Sequence, residues 1–263
     1  MKQCGVEIPA YDFAGKTAVV TGGGSGIGFA SAVILAAGGA NVVLAGVPEE
    51  QLRQAAARIR EAGFGCTAVP TDVSDEASVQ NMVSKTVEIY GGLDILICCA
   101  GIGGEVLPLL EQTAEMFDRV VNVNLRGIFL CAKAAAAQMV KQGRGGRIVT
   151  TSSIAYIEGG GLHGPYGAAK GGVCTLTRSM AAEWAEYGIN VNTVCPGLTR
   201  TNINREIQDD AALYDAFTAK IPLRRMAEPG EIAAALTFFA SPGASFCTGS
   251  VLVCDGGATV GGL

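Results

Sequence analysis

From Thr17 to Pro48 the chain carries no charged side chain. Glycine breaks that run twice, first at Gly22-Gly23-Gly24-Ser25-Gly26 and again at Gly38-Gly39-Ala40-Asn41. Neither uninterrupted piece offers the ~20 apolar residues that crossing a bilayer requires. The stretch reads instead as a buried strand at Thr17–Thr21, a helix over 27–37 and a second buried strand over 41–45. Strands this apolar need cover on both faces, which is the environment of a parallel sheet sandwiched by helices.

The alternation continues along the chain. Residues 49–62 are predicted helical, with Leu52, Ala56 and Ile59 on one face and Gly63 as the stop. Cys66–Pro70 reads as the third strand. Ser74 and Asp75 are predicted to cap a helix that reaches about Tyr90. Residues 93–99 form a fourth strand, apolar apart from Asp94. Two helices are expected over 113–121 and 125–142, a fifth strand over 147–151, a long helix over 165–187 and a sixth strand over 189–195. Helices over 201–220 and 229–240 and a strand over 250–254 complete the order. Right-handed crossovers turn this order into a doubly wound parallel α/β sheet of seven strands with helices on both faces. No linker or repeat divides the chain, so residues 1–263 read as one domain, with 1–12 as an N-terminal extension.

Composition narrows the function classes. Nineteen Lys and Arg against 24 Asp and Glu give a net charge of −5, and 49% of residues are hydrophobic. That balance excludes disorder. Without clustered bases it also argues against a nucleic-acid partner. The nine cysteines are odd in number and contain no Cys-x-x-Cys pair. Most lie in apolar runs, as expected of reduced core thiols in a cytoplasmic protein. With one histidine, His163, and no close-spaced thiols, no metal site is predicted. Met1-Lys2-Gln3-Cys4-Gly5 lacks the layout of a signal peptide.

The glycine cluster joins a strand to a helix as Thr21-Gly22-Gly23-Gly24-Ser25-Gly26-Ile27-Gly28. Glycine lets a backbone turn tightly and approach a pyrophosphate, which the first N–H groups of the helix then bind. The spacing is Gly-x-x-x-Gly-x-Gly. With the preceding threonine this resembles the short-chain dehydrogenase/reductase family in its single-domain branch, and the resemblance runs from there to the C-terminus. It implies a Rossmann-type fold and an oxidoreductase that uses NAD or NADP. Gly22, Ser25, Gly26, Ile27 and Gly28 are then candidate phosphate contacts.

Tyr166 and Lys170 stand four apart, so on a helix they share a face. A cation beside a phenol favours the phenolate, which suits Tyr166 to general acid–base work. The bland alternative is a surface pair. Ser153 lies 13 residues before Tyr166, just past the fifth strand. The resemblance makes Ser153 the hydrogen-bond donor to the reacting oxygen, in preference to Ser152. It makes Asn124 the holder of a water that relays protons to Lys170. It further implies cofactor contacts at Gly46, Asp72, Val73, Cys99, Ala100, Gly101, Pro196, Gly197, Thr199 and Thr201, with Tyr166 and Lys170 shared between cofactor and chemistry. Asp255-Gly256-Gly257 matches a structural signature of the same family.

Two departures stand out. The family's Asn-Asn-Ala-Gly is Cys98-Cys99-Ala100-Gly101 here, and a thiol is the weaker partner. The acidic residue expected about 20 positions after the glycine loop is replaced by Gly46, followed by Val47. No cation stands there for a 2′-phosphate either, and Ser25 occupies a place where many NADP-preferring members carry a base, so NAD is favoured over NADP. Arg53 would reverse that preference if it reached the site.

The loop before Tyr166 offers Glu158 and His163 as substrate contacts beside Ser153 and Tyr166. Residues 201–220 are expected to form a flap, and Arg205, Arg224 and Arg225 are candidates for a carboxylate or phosphate. The polar mixture suits a sugar, polyol or small hydroxy compound bearing a secondary alcohol or ketone. An NADPH-dependent 3-oxoacyl thioester reductase is the alternative enzyme. A non-catalytic dinucleotide-binding regulator is the alternative of another class. The resemblance also implies a homotetramer packed through helices 125–142 and 165–187.

Overall fold

The computed structural model describes residues 2–3, 6–7, 11–159 and 161–260. Most of the 1–12 extension lies outside them, apart from a two-residue antiparallel pairing of Lys2–Gln3 with Val6–Glu7. Seven parallel strands form the main sheet. They are β1 (Thr17–Thr21), β2 (Asn41–Gly46), β3 (Cys66–Pro70), β4 (Ile95–Cys98), β5 (Gly146–Thr151), β6 (Ile189–Pro196) and β7 (Val251–Cys254). Their spatial order is 3-2-1-4-5-6-7. The order reverses between β1 and β4, and that crevice is where a doubly wound sheet binds its ligand.

Strand side chains alternate between faces, so each strand feeds two cores. Val19, Val43, Leu96 and Ile148 pack on one side with α3 (Glu76–Tyr90), α4 (Ala114–Gln142) and, past a one-turn α5 (Ala155–Glu158), α6 (Gly164–Trp184). Ala18, Val20, Leu44 and Ile97 pack on the other with α1 (Gly26–Ala37), α2 (Glu49–Glu61) and, past α7 (Arg205–Asp209) and α8 (Ala211–Thr218), α9 (Pro229–Ala240). Burying each Leu, Ile or Val contributes about 1.5–3 kcal/mol.

Asp94 enters β4 and is buried. Its Oδ2 accepts the Thr17 N–H at 2.9 Å and its Oδ1 accepts Arg144 Nε at 2.8 Å. The one charge in an apolar run thus clamps the entries of the two central strands. Asp75 alone caps α3, accepting from Ala77 and Ser78, whereas Ser74 donates to Asp72 instead.

Two expectations need correction. The helices predicted over 113–121 and 125–142 are one helix, α4, 29 residues long. A π turn over Asn122–Arg126 joins the halves, with the Gly127 N–H bonded to the Asn122 carbonyl five residues back. By length and composition α4 is able to cross a membrane, but more than half of its most apolar stretch is buried inside the protein. The helix expected over 201–220 is broken. Asp210 turns extended and caps α8 through Ala212 and Leu213, so the flap is α7 followed by α8.

Candidate active site

The glycine loop folds directly onto the end of β4. Gly22 has φ +65°, and a Cβ there would stand 2.7 Å from the Ala100 nitrogen. A Cβ on Gly28 would stand 2.3 Å from the Gly22 carbonyl oxygen. No side chain fits either place, and the cradle is left to backbone. The Ala100 N–H is held by Thr21 Oγ1 at 3.3 Å. Gly26 and Ile27 open α1 after Ser25, so first-turn N–H groups lacking helical partners point into this crevice. Thr201 arrives from across the cleft with its methyl against Gly26.

The adenosine side is built at the ends of β2 and β3. The Thr71 N–H bonds the Gly46 carbonyl at 3.0 Å, and Gly46 lies against Gly22. Asp72 is exposed and accepts both the N–H and the hydroxyl of Ser74, while Val73 is buried against Gly127. Val47, the residue after the selector place at Gly46, is exposed. Arg53 is bonded to Glu49 one helical turn back.

The chemical groups converge at the ends of β4 and β5. Lys170 is buried, and its Nζ donates to the Thr151 carbonyl at 2.8 Å. The same nitrogen lies 5.6 Å from the centroid of the Tyr166 ring. Ser152 turns inward and donates to the Lys170 carbonyl at 2.7 Å. Ser153 remains half-buried, its Oγ accepting only the Ala155 N–H at 3.2 Å among the described residues, so of the two serines it is the one left to meet a ligand. The turn that carries Ser153 meets α6 beside Tyr166, where Gly167 lies against the Ala155 and Gly159 carbonyls. Asn124 sits buried in the π turn, and Gly101 is wedged between its Oδ1 and Lys170 Nζ.

Cys98 and Cys99 point to opposite faces. Cys98 joins the core that holds Cys131, and Cys99 meets Thr151 Oγ1 at 3.4 Å. Burial pushes the Cys99 thiol up to about 11, against smaller lowering effects of Thr151 and Lys170. Eight cysteines are free among the described residues. No cluster of three His, Cys, Asp or Glu side chains forms among those residues.

Gly197 packs against Asp255, and its N–H bonds the Cys254 carbonyl at 2.9 Å. Thr199 is buried, its hydroxyl turned back on the Gly197 carbonyl at 2.9 Å. Burial pushes the Asp255 carboxyl up, but the donors on Thr259 and Gly257 outweigh it and hold it below the usual range.

The substrate side is more apolar than its sequence implies. Glu158 is exposed, and His163 is half-buried at the start of α6. Around them the Leu107 N–H bonds the Leu162 carbonyl at 3.1 Å, Leu109 packs on Gly164, and Ile203 lies against Gly103. Sequence reasoning missed Gln112. Its Nε2 donates to the carbonyls of Glu105, Leu107 and Leu162 at 3.2 to 3.4 Å, zipping two loops together. An amide among loop residues carries no sequence signal for that task. The three candidate anion-binding arginines are engaged elsewhere. Arg205 pairs with Asp209, Arg224 with the Ala219 carbonyl, and Arg225 with both carboxylate oxygens of Glu231.

A backbone cradle at a doubly wound switch point, beside a buried lysine, a tyrosine and a serine, defines a dinucleotide-dependent α/β enzyme. Residues 22–259 match the family described as enoyl-(acyl carrier protein) reductase. Over 251 residues the chain is 40% identical to 2,5-dichloro-2,5-cyclohexadiene-1,4-diol dehydrogenase of Sphingobium indicum, covering 94% of this chain and 98% of that one. Over 247 residues it is 41% identical to cis-4-hydroxycyclohexanecarboxylate dehydrogenase of Sinomonas cyclohexanicum, again covering 94% and 98%. The solved structure of levodione reductase superposes with a TM-score of 0.90 at 38% identity, covering 94% of this chain and 99% of that one. The chain belongs to the short-chain dehydrogenase/reductase family and is an oxidoreductase that interconverts a secondary alcohol and a ketone.

Proposed function

We propose that this enzyme acts on a small alicyclic hydroxy compound, within the sugar, polyol and small-hydroxy class that the sequence suggests. The convergence of Asn124, Gly101 and Lys170 supports the catalytic reading. Leu109 beside Gly164 and Ile203 beside Gly103 put apolar side chains near the site, which supports a ring over an open polyol. Two relatives named for dehydrogenating cyclohexane or cyclohexadiene alcohols point the same way.

The cradle that only glycine fills fits a dinucleotide. Gly22, Ser25, Gly26, Ile27 and Gly28 would hold its diphosphate, Gly46, Asp72 and Val73 its adenosine, and Cys99, Ala100, Gly101, Pro196, Gly197, Thr199 and Thr201 its nicotinamide half. When bound, the nicotinamide accepts or supplies the hydride. Tyr166 takes the proton from the alcohol, or returns it to the ketone, at its phenolic oxygen. Lys170 presents its charge to that ring, its Nζ 5.6 Å from the centroid. Ser153 Oγ donates to the reacting oxygen and fixes its orientation. Asn124 sets the floor beneath them, and a relaying water would take its main chain, since both ends of its amide are engaged.

NAD is the favoured cofactor, because no cation stands beside Gly46 among the described residues and Arg53 is paired with Glu49. The enzyme is read as one domain, as cytoplasmic, and as a homotetramer, with Phe129 and Val140 left exposed on α4 to meet another copy. A titration of NADH against NADPH fluorescence, followed by turnover of cyclohexanols and of aldoses, tests the reading. Tighter NADPH binding overturns the cofactor assignment, and turnover of aldoses alone overturns the ring assignment.

A further inference from the structure

The first half of the flap is tied to the strand end, with Asn204 Nδ2 donating to the Thr199 carbonyl at 2.8 Å, yet it stands off α1. Between α7 and α1 lies an open cavity of about 420 Å³, lined by Gly26, Phe29, Arg200, Thr201, Arg205 and Gln208 among others. The end of α8 is buried at Thr218, and its exposed middle is held through Arg200. Its guanidinium donates to the Tyr214 hydroxyl at 3.1 Å and lies 5.2 Å from the centroid of that ring. Its Nε stands 3.0 Å from Glu228 Oε1. The main chain of the same residue is fixed as well, its N–H donating to the Ala227 carbonyl at 2.9 Å. Glu228 is a firm post, because its N–H is bonded to Glu231 and Glu231 is gripped by Arg225. The next residue, Thr201, touches the phosphate loop at Gly26. One side chain therefore joins the flap, the start of α9 and the strand end that leads to the dinucleotide site.

We propose that Arg200 is a positioning residue that sets the resting angle of the flap, with Tyr214 as its working partner, and thereby governs how long a dinucleotide stays bound. The Glu228 contact is a surface ion pair and contributes little alone. The Tyr214 contact combines a charged donor with stacking on a ring, for which a planar guanidinium is suited and an ammonium is not. The proposal rests on the phosphate loop holding a dinucleotide.

Two measurements test it. The first is the NADH dissociation rate, followed by fluorescence in stopped flow, for wild type, Arg200→Ala, Arg200→Lys, Tyr214→Phe, Tyr214→Ala, Glu228→Gln and the Arg200→Ala/Tyr214→Ala double variant. Arg200→Ala and Tyr214→Ala should each release NADH about tenfold faster, the factor carried by one hydrogen bond from a charged donor. Arg200→Lys should resemble Arg200→Ala, Tyr214→Phe should fall between Tyr214→Ala and wild type, and Glu228→Gln should stay within about twofold of wild type. The double variant should be no faster than either single one, because the two side chains act as a unit. The second is the rate of tryptic cleavage after Arg205 without nucleotide, which should rise in Arg200→Lys and Tyr214→Phe while the melting temperature holds. Wild-type release rates in Arg200→Ala or Tyr214→Ala, multiplying factors in the double variant, or unchanged cleavage would each overturn the role of Arg200. A wild-type protein that binds neither NADH nor NADPH would instead overturn the cofactor reading, and the cleavage measurement would still decide on Arg200.

Discussion

Asn124 directs both ends of its amide at one residue. Its Oδ1 accepts the Ile102 N–H at 2.9 Å, and its Nδ2 donates to the Ile102 carbonyl at 2.8 Å. Asn124→Ala would leave two partly buried backbone groups without partners, a loss of about 2 kcal/mol or more in unfolding free energy. Urea unfolding measures it. Turnover should fall with it, because the loop that begins at Gly101 loses its anchor beside Lys170.

Tyr166→Phe keeps the ring beside Lys170 and removes only the proton carrier. Turnover should drop by about 10²–10⁴, the usual contribution of a general acid or base. NADH affinity, read by fluorescence titration, should hold within about twofold, since the lost interaction is one made in the transition state. Retained turnover would sink the assigned chemistry.

Gly28→Ala drives a methyl group into the Gly22 carbonyl, and both sides of that clash are main chain. Relief requires the phosphate loop to move, at about 1–3 kcal/mol of overpacking. Calorimetric titration should show dinucleotide binding weakened by more than about tenfold, an effect that the strain energy allows. A Gly171→Ala control has nothing within 4 Å of the added atom and should bind as wild type.

Gln112→Leu removes the amide that joins the loop after β4 to the loop before α6. The expected result is a raised KM for the alcohol with NADH affinity unchanged, because Gln112 ties down the far part of that loop, at Glu105 and Leu107, and not its cofactor-facing start at Cys99–Gly101. Steady-state kinetics on whichever cyclohexanol is turned over checks it, and an equal rise in both constants would count against the assignment.

Alkali should destabilise the fold through its thiols. Burial pushes Cys66 and Cys99 up to about 11 and Cys131 to about 12, from an ordinary 9.0. The unfolded chain ionises near the ordinary value while the native thiols stay protonated. Their contribution is therefore complete below about pH 9 and is lost progressively as pH rises through 11 to 12, at up to about 1.4 kcal/mol per pH unit per thiol. Urea midpoints taken between pH 8 and 10.5 should fall, and less steeply in Cys131→Ala. A flat profile would refute the burial argument.

Much of the fold and of the site is legible in the amino-acid sequence, for reasons of period and contact. The apolar runs at β1, β2 and β4 permit little besides a covered parallel sheet, and the glycine spacing has one use between a strand and a helix. Tyr166 and Lys170 are local in sequence, so helical spacing places them together. Long-range partners are harder to read. That Gly101 lies between Asn124 and Lys170 depends on α4 and α6 meeting beside the end of β4. The candidate arginines at 205, 224 and 225 are claimed by local carboxylates and carbonyls, and sequence order does not show which neighbour wins. The break at Asp210 hides within a helix-favouring composition, although an aspartate two residues before Ala212 is a capping signal.

The π turn in α4 has a consequence for chain length. Its five residues span a turn that α-helical winding would close with fewer. Losing one residue from 122–126 would let α-helical winding close the same turn, with the two halves of α4 kept in phase. What would go is the widened turn itself, and with it the place from which Asn124 reaches both main-chain groups of Ile102. Asn122 and Arg126 face solvent, so the extra residue serves the position of Asn124 more than the course of the helix. A one-residue deletion here should leave a folded protein that has lost turnover, a separation of stability from activity that circular dichroism and a rate assay would read together.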